Sequence, residues 1–197
     1  MNVVLIGFMG VGKTSVGEGL AERLEWSFID TDTLIEEGHS MSIVEIFAEH
    51  GEALFRETEK AVIRRVARRR RCVIATGGGV VLDQENVDLL RKNGLLIHLT
   101  LSPGVIYRRI GHLSQRPLLQ TDRPLETLKT LFRKRETLYR ACSDITINRD
   151  RLSVDETIDR VVEALVACGT GGRLAEMARR VRGNQTCQTV SASDSEY

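Results

Sequence analysis

Eight residues near the N-terminus have the types and the spacing of a phosphate-binding loop. The segment Gly7-Phe8-Met9-Gly10-Val11-Gly12-Lys13-Thr14 fits the pattern G-x-x-x-x-G-K-S/T and follows the apolar run Val3–Ile6. Glycines are needed because backbone N–H groups must approach the phosphates closely, in conformations that a Cβ would obstruct. Lys13 brings a positive charge to the β- and γ-phosphates, and Thr14 offers a hydroxyl to Mg²⁺. The loop therefore predicts a nucleoside triphosphate site.

Two aspartates, Asp30 and Asp32, follow the predicted second strand. In an open parallel sheet ligands bind at the carboxyl ends of the strands, so this pair is expected near the phosphate loop. In phosphoryl transfer one carboxylate can hold Mg²⁺ through water while its neighbour orients and deprotonates the attacking hydroxyl. We expect both side chains to point the same way because the segment is interpreted as extended. The alternative is that they only cap the following helix.

A charged pair and a glycine triplet extend the predicted site. Arg56 and Glu59 lie three residues apart on a predicted helix, beside Phe47 and Phe55. This setting favours a half-apolar pocket in which a guanidinium meets a carboxylate, although an i,i+3 surface pair is the alternative. Gly77-Gly78-Gly79 follows another predicted strand. Three glycines cost chain entropy, which favours close approach of a ligand to the backbone over a simple turn.

A loop over about residues 111–124 has the composition of a lid. It carries Arg116, and the apolar Pro117-Leu118-Leu119 follows directly. A kinase must exclude water from the γ-phosphate, and a closing lid that bears an arginine would both exclude water and stabilise charge. Three more arginines lie on the helix predicted over Glu126–Ala141. One face of that helix must be solvated, so not all three can act on a ligand.

The elements that must position these residues alternate along the chain. Strands are predicted over Val3–Ile6, Ser27–Asp30, Cys72–Thr76, Leu95–Leu99 and Ile145–Asn148. Helices are predicted over Lys13–Leu24, Thr33–Glu37, Ile43–His50, Glu52 to about Arg69, Gln84–Lys92, Pro103–Ile110, Glu126–Ala141 and Val154–Ala167. Strands that alternate with helices imply crossover connections, so we predict an α/β fold with a parallel sheet covered on both faces.

Composition narrows the class of protein. The chain has 197 residues, 42% hydrophobic and 28% charged, which suits one enzyme-like domain. Its net charge is +1, so we expect no nucleic-acid or membrane partner, and the run Arg68–Arg71 is interpreted as a solvated helix end. The four cysteines and four histidines show no metal-ligand spacing. Without a leader or a long apolar segment, the protein is expected to be cytoplasmic.

Two parts of the chain differ in character. Residues 1–168 contain every motif described above and are predicted to form one domain. Residues 169–197 begin with a glycine-rich linker, continue into a possible short basic helix and end in small polar residues. This C-terminal extension is predicted to be largely disordered because it has few apolar residues to bury.

Taken together, the motifs closely resemble those of the shikimate kinase family, a branch of the phosphate-loop kinases related to nucleoside-monophosphate kinases. The resemblance covers about residues 2–167 and rests on Gly7–Thr14, Phe28–Asp32, Ile46-Phe47, Phe55-Arg56-x-x-Glu59, Thr76–Val80, Arg116–Leu119 and Arg135-x-x-x-Tyr139. It implies a three-layer αβα fold with a five-stranded parallel sheet, a lid loop, and a substrate-binding helical segment over about residues 31–60. It also implies a monomer that uses ATP and Mg²⁺ to phosphorylate the 3-hydroxyl of shikimate in chorismate and aromatic amino-acid biosynthesis.

The resemblance also implies a role for each matching residue. Lys13, Asp32 and Arg116 are expected to be catalytic, with Asp32 as the base and Arg116 supplied by the lid. ATP binding is expected from Gly10, Val11, Gly12, Lys13, Thr14, Ser15, Arg109, Arg116 and Arg151. Shikimate binding is expected from Asp32, Arg56, Gly77, Gly78, Gly79 and Arg135, with both arginines on the substrate carboxylate. Thr14 and Asp30 are expected to serve Mg²⁺. Arg151 is selected from the variable segment Asn148–Arg151.

Three other functions remain open from the sequence. A gluconate kinase would use the same scaffold for a different small anion. A catalytically silent homologue would use the fold only for binding, but such a protein has little reason to keep every chemical group named above. A nucleic-acid-binding protein built on the arginine runs is disfavoured by the net charge of +1.

Overall fold

The structure is a computed structural model, and it describes residues 1–110 and 117–168. The strands are β1 (Asn2–Ile6), β2 (Ser27–Asp30), β3 (Cys72–Ala75), β4 (Gly94–Thr100) and β5 (Ile145–Asn148). The helices are α1 (Lys13–Leu24), α2 (Thr31–His39), α3 (Ile43–Val66), α4 (Gln84–Asn93), α5 (Pro103–Arg109), α6 (Pro124–Cys142) and α7 (Val154–Ala167). Short 3₁₀ turns occur at Val80–Leu82 and Pro117–Leu119.

All five strands are parallel, in the order β2-β3-β1-β4-β5. Every residue of β1 and β3 is buried. Since alternate side chains of a strand point to opposite faces, a strand that is buried throughout must be covered on both sides. The predicted five-stranded parallel sheet between helical layers is therefore confirmed.

The register of the sheet brings the functional segments to one edge. Asp30 and Leu5 both pair with Ala75, and Ile6 pairs with His98. The residues that follow β1, β2 and β3 therefore leave the sheet side by side. These residues are the phosphate loop, the start of α2 and the glycine triplet, so the fold assembles the site predicted from the motifs.

The two helices predicted on either side of Gly51 are confirmed. The helical stretch Ile43–Val66, α3, is interrupted by a kink at Gly51, whose φ of 79° and ψ of 175° are not helical. The helix ends at Val66, so the run Arg68–Arg71 follows the helix instead of closing it. All four arginines are exposed, so the solvated part of that interpretation is confirmed. Ser42 caps the start of α3 in a capping box with Glu45, a signal that the sequence interpretation did not use.

Parts of the predicted lid and extension lie outside the described residues. These are residues 111–116, which include Arg116, and the C-terminal segment 169–197. The chain is described again from Pro117, and α6 begins at Pro124 with proline in its first turn. Among the described helices, none combines the length and the apolar character that crossing a bilayer requires.

Candidate active site

A cleft of about 990 Å³ lies at the carboxyl edge of the sheet. It contains most of the residues selected from the sequence. Those lining it are Gly10, Gly12, Lys13, Thr14, Ser15, Asp30, Asp32, Arg56, Gly77, Gly78, Gly79 and Arg135. The cleft has two halves: a nucleotide half formed by the phosphate loop, and an acceptor half formed by side chains of α2, α3 and α6 around the glycine triplet.

The phosphate loop is held in a conformation that requires glycine. Gly10 and Gly12 have φ angles of 75° and 84°, which residues other than glycine rarely adopt. A Cβ on Gly10 would also lie only 2.8 Å from Cγ1 of Ile110. Val11 is fully buried and attaches the loop to the core. Lys13 donates from Nζ to the carbonyl of Gly7 at 2.8 Å, so the ammonium lies across the mouth of the loop.

A hydroxyl and a carboxylate meet beside the loop. Thr14 Oγ1 donates to Asp30 Oδ2 at 2.8 Å, while Asp30 Oδ1 accepts the backbone N–H of Asp32 at 2.9 Å. Asp30 is therefore the N-cap of α2, and the expectation of an extended Asp30–Asp32 segment is wrong because the helix begins at Thr31. Both aspartates still line the cleft. Asp30 thus caps α2 and lines the cleft at the same time.

Two carboxylates converge at Gly77. A Cβ on Gly77 would lie 2.7 Å from Asp32 Oδ1 and 2.9 Å from Glu59 Oε1, so only glycine leaves room for both. Glu59 is 1% exposed, and burial raises the pKa of its carboxyl, while the nearby Arg56 guanidinium opposes that rise. The negative charge of Asp32 raises the pKa of Glu59 further.

Arg56 joins this group through a forked ion pair. Its Nη1 donates to Glu59 Oε2 at 2.9 Å, and its Nη2 donates to Glu52 Oε1 at 2.8 Å. The guanidinium carbon lies 5.0 Å from the centre of the Phe55 ring. Burial alone would lower the pKa of Arg56, but the two carboxylates raise it overall. The burial of Glu59 excludes a simple surface pair, so the predicted half-apolar pocket is confirmed.

Arg135 and Tyr139, one turn apart on α6, both reach the middle of the glycine triplet. Arg135 Nη1 donates to the carbonyl oxygen of Gly78 at 3.3 Å, and the Tyr139 hydroxyl donates to the same oxygen. Arg135 is 6% exposed, and its guanidinium carbon lies 5.9 Å from the centre of the Phe8 ring. Helix α6 thus attaches the acceptor half to the phosphate loop.

Comparison with known proteins gives a consistent result. The family model described as shikimate kinase matches residues 9–166. The chain is 43% identical over 170 residues to a shikimate kinase of Thermoanaerobacter pseudethanolicus, covering 86% of this chain and 99% of that protein. It is 47% identical over 166 residues to one of Moorella thermoacetica, covering 84% and 95%.

The chain belongs to the shikimate kinase family. A shikimate kinase from Acinetobacter baumannii, solved in complex with shikimate, superposes with a TM-score of 0.82 at 32% identity, covering 84% of this chain and 93% of that one. The enzyme from Aquifex aeolicus gives 0.76 at 31% identity, with 87% and 100% covered. The resemblance predicted from the motifs is confirmed, and with it the prediction of an ATP-dependent small-molecule kinase.

Among the described residues expected from the family resemblance to bind ATP, Val11, Arg109 and Arg151 do not line the cleft. Arg116 lies outside the described residues. Arg109 is exposed at the end of α5. Burial lowers the pKa of Arg149, and the positive charge of Arg109 lowers it further. Arg151 is exposed and lines a separate cavity of about 780 Å³ between β5 and α7. The position of Arg151 in this structure therefore does not support its selection as a nucleotide contact.

The sequence interpretation missed two residues beside the site. Arg149, two positions before Arg151, is buried against the phosphate loop. His98 is stacked on Tyr139 with ring centres 5.0 Å apart, and burial lowers its pKa to about 4, against the opposing charge of Glu136. The position of Arg149 directly after β5, at the edge where ligands bind, was a signal that could have identified it.

Proposed function

We propose that this protein transfers the γ-phosphoryl group of ATP to the 3-hydroxyl of shikimate, giving shikimate 3-phosphate and ADP. The observation that carries the proposal is the acceptor half of the cleft. Arg56 and Arg135 offer two guanidinium groups to a carboxylate, and Asp32 offers an oxygen to hydroxyl groups. A small anionic polyol needs this combination. Shikimate bound to the Acinetobacter baumannii relative supports the same acceptor.

The nucleotide half supplies positioning for the triphosphate. Its phosphates are bound by loop N–H groups and the start of α1, where the helix dipole favours an anion. Lys13 leaves the carbonyl oxygens of Gly7 and Phe8 and moves its charge to the β- and γ-phosphates. This exchange is favourable because a phosphate is a stronger partner for an ammonium than a neutral carbonyl is.

Thr14 and Asp30 are the residues that would hold Mg²⁺. A hydroxyl and a carboxylate that meet at 2.8 Å are hard oxygen ligands, which suit this ion. The described residues contain no group of three or more acidic, histidine or cysteine side chains that could hold a metal ion. Two protein ligands are enough for Mg²⁺, because this ion usually keeps several waters and binds phosphate oxygens of the substrate. When bound, the ion neutralises charge on the β- and γ-phosphates.

Asp32 carries the proton transfer. Its carboxylate orients the acceptor hydroxyl and takes the proton as the hydroxyl oxygen forms its bond to the γ-phosphorus. The bond from the γ-phosphorus to the β,γ-bridging oxygen breaks, and ADP leaves with its electron pair. The neighbouring carboxyl of Glu59 is ion-paired to Arg56, which keeps the guanidinium oriented toward the substrate carboxylate. These residues bring acceptor and donor into line.

The lid predicted over about residues 111–124 would exclude water from the γ-phosphate. Arg116 remains the predicted source of positive charge on the γ-phosphate from that side. Leu118, two residues after it, lines the cleft, which supports a lid that closes over the phosphates. The enzyme is further proposed to act as a cytoplasmic monomer with no nucleic-acid or membrane partner, consistent with its net charge of +1. Light scattering with and without shikimate and ATP would measure the oligomeric state.

A coupled ADP-release assay tests the proposal. It compares shikimate, gluconate and nucleoside monophosphates as acceptors, with the Lys13→Met variant as the matched inactive control. We expect turnover with shikimate and product identified as shikimate 3-phosphate by mass spectrometry. Turnover with gluconate alone would make the protein a gluconate kinase. ADP binding without turnover of any acceptor would identify a silent homologue.

A further inference from the structure

Arg149 is a buried cation behind the phosphate loop. It is 1% exposed and follows directly after β5. Its Nη1 donates to the carbonyl oxygen of Val11 at 2.6 Å and to that of Gly12 at 3.4 Å. A Cβ on Gly12 would collide with the same nitrogen, so the guanidinium occupies the space that glycine leaves open.

No carboxylate neutralises this cation within the part of the chain that is described. None of the ion pairs found there, up to 4.0 Å, includes Arg149, and its Nε is buried without a hydrogen-bond partner. Its charged neighbour is another cation, Arg109, which together with burial lowers the pKa of Arg149. An unpaired buried charge destabilises a fold, so its presence calls for an explanation other than stability.

Backbone geometry gives that explanation. In a planar trans peptide the carbonyl and the next N–H point in opposite directions. The carbonyl of Val11 points at Arg149, so the N–H of Gly12 points away from it, toward the cleft that Gly12 lines. The Gly12 carbonyl accepts the N–H of Val16 at 3.1 Å, and its contact with Arg149, at 3.4 Å, is the longer of the two.

We infer that Arg149 is a positioning residue that holds the phosphate loop with its N–H groups aimed at the nucleotide phosphates, and that its positive charge favours binding of a polyphosphate. The inference rests on the proposed use of ATP by this site. It concerns the nucleotide half alone, so it predicts a change in nucleotide affinity and none in acceptor affinity.

The test is calorimetric binding of ADP and of inorganic tripolyphosphate to the Arg149→Met variant. Loss of a charge-assisted hydrogen bond is expected to weaken binding about tenfold for both ligands alike. In turnover, the KM for ATP should rise by about the same factor while the KM for shikimate stays unchanged. The matched control is Arg91→Met. Arg91 also donates to two backbone carbonyls, Ala141 at 3.5 Å and Cys142 at 2.9 Å, but it lies away from the cleft.

The outcomes separate positioning from simple structural support. We expect Arg91→Met to lower the melting temperature and to leave ADP affinity unchanged. The same result for Arg149→Met would overturn the inference. Weaker ADP binding with unchanged tripolyphosphate binding would also overturn it, because the contact would then be to adenosine. If Arg149→Met does not fold, Arg149→Lys decides: intermediate affinity supports the inference and wild-type affinity contradicts it. Absence of shikimate turnover in a wild-type protein that binds ADP would contradict only the proposed function.

Discussion

The two halves of the cleft are built in different ways. The nucleotide half is built from one continuous strand, loop and helix, and its groups are mainly backbone atoms of residues 7–15. The acceptor half brings together Asp32 from α2, Arg56 from α3, the glycine triplet and Arg135 from α6. The first half depends on local conformation, whereas the second depends on how distant elements pack.

Their electrostatics differ in the same way. In the acceptor half, Glu59 lies between Arg56 and Asp32, and each group changes the pKa of that carboxyl. In the nucleotide half, Lys13 and Arg149 donate to backbone carbonyls. A phosphate chain is bound well by N–H groups and general positive charge, but a carboxylate with several hydroxyls requires individually placed side chains. We therefore expect substitutions in the acceptor half to affect the acceptor alone.

The largest effect is expected from Asp32→Asn, which removes the proposed base. The kcat should fall by about 10²–10⁴-fold, because an amide cannot accept the hydroxyl proton. ADP affinity should be unchanged, since the nucleotide half is intact. Steady-state kinetics and calorimetry measure both quantities, and Asp88→Asn on α4, away from the cleft, is the control. Near-normal turnover would remove Asp32 from the role of base.

Arg135→Met should mainly weaken acceptor binding. Loss of a charge-assisted contact to the substrate carboxylate is expected to raise the KM for shikimate about 10- to 100-fold. The KM for ATP should change much less. Tyr139 continues to hold the carbonyl of Gly78 in this variant, so the backbone there should stay in place. An unchanged KM for shikimate would place the carboxylate elsewhere.

Gly79→Ala tests whether the glycine triplet serves the acceptor half by leaving room for Arg56. The new Cβ would lie 2.7 Å from Arg56 Nη2, so the guanidinium must shift. Because the side chain is flexible, we expect a moderate rise in the KM for shikimate, about three- to tenfold, with ADP affinity unchanged. Gly104→Ala is the matched control, since a Cβ there would meet no atom within 4 Å. Equal kinetics for the two variants would contradict this explanation of Gly79.

His98 lies between the two halves, and its effect should appear in stability. It pairs with Ile6 in the sheet and stacks on Tyr139; Glu136, Arg140 and Lys13 also act on its charge. Burial lowers the pKa of His98 from 6.5 to about 4. Between pH 6.5 and pH 4, His98 is therefore protonated in the unfolded chain and neutral in the folded protein. The contribution of His98 to the free energy of unfolding is therefore fully present above pH 6.5. It decreases by up to about 3 kcal/mol as the pH falls toward 4.

Urea unfolding at pH 7 and pH 4.5 measures this difference. The wild-type protein should lose more stability between the two pH values than the His98→Phe variant, which keeps the stacking on Tyr139 but cannot titrate. Acidic residues that do not interact with His98 contribute equally to both proteins, so the comparison isolates His98 together with Glu136, whose charge acts on it. An equal loss in the two proteins would show that this residue does not titrate in the expected range.

The smallest effect is expected from removal of the C-terminal segment. A chain that ends at Ala167 retains both halves of the cleft and all seven described helices. We expect its kcat and both KM values to lie within about twofold of the full-length protein, since surface changes away from a site are usually close to neutral. Loss of activity in a folded, truncated protein would assign a function to residues 168–197.

The sequence predicted most of the fold because its signals were local. The bounds of α1, β2, β5 and α7 agree with those predicted, and the Ser153 capping box at the start of α7 is present. The predicted backbone conformation at Asp30 was wrong because hydrophobic periodicity does not reveal a helix that begins immediately after a strand. The side chain of Asp30 performs the capping that allows this abrupt transition.

The sequence interpretation overlooked Arg149 for a different physical reason. Arg149 and Arg151 are the same residue type, two positions apart, after the same strand. Only the packing of the loop after β5 against the phosphate loop distinguishes them, and that contact joins residues 138 positions apart in the chain. No periodicity or spacing encodes such a contact, because it depends on how the elements stack.

The sequence by itself determined the family, the parallel α/β fold, the phosphate loop and most of the residues that line the acceptor half, because each rests on residue types at fixed local spacing. Tertiary structure alone decided that Glu59 is buried beside Asp32, that Tyr139 and Arg135 share the carbonyl of Gly78, and that Arg149 lies behind the loop. These contacts join elements far apart in the chain, and their energies depend on burial and on distance, which exist only once the chain has folded.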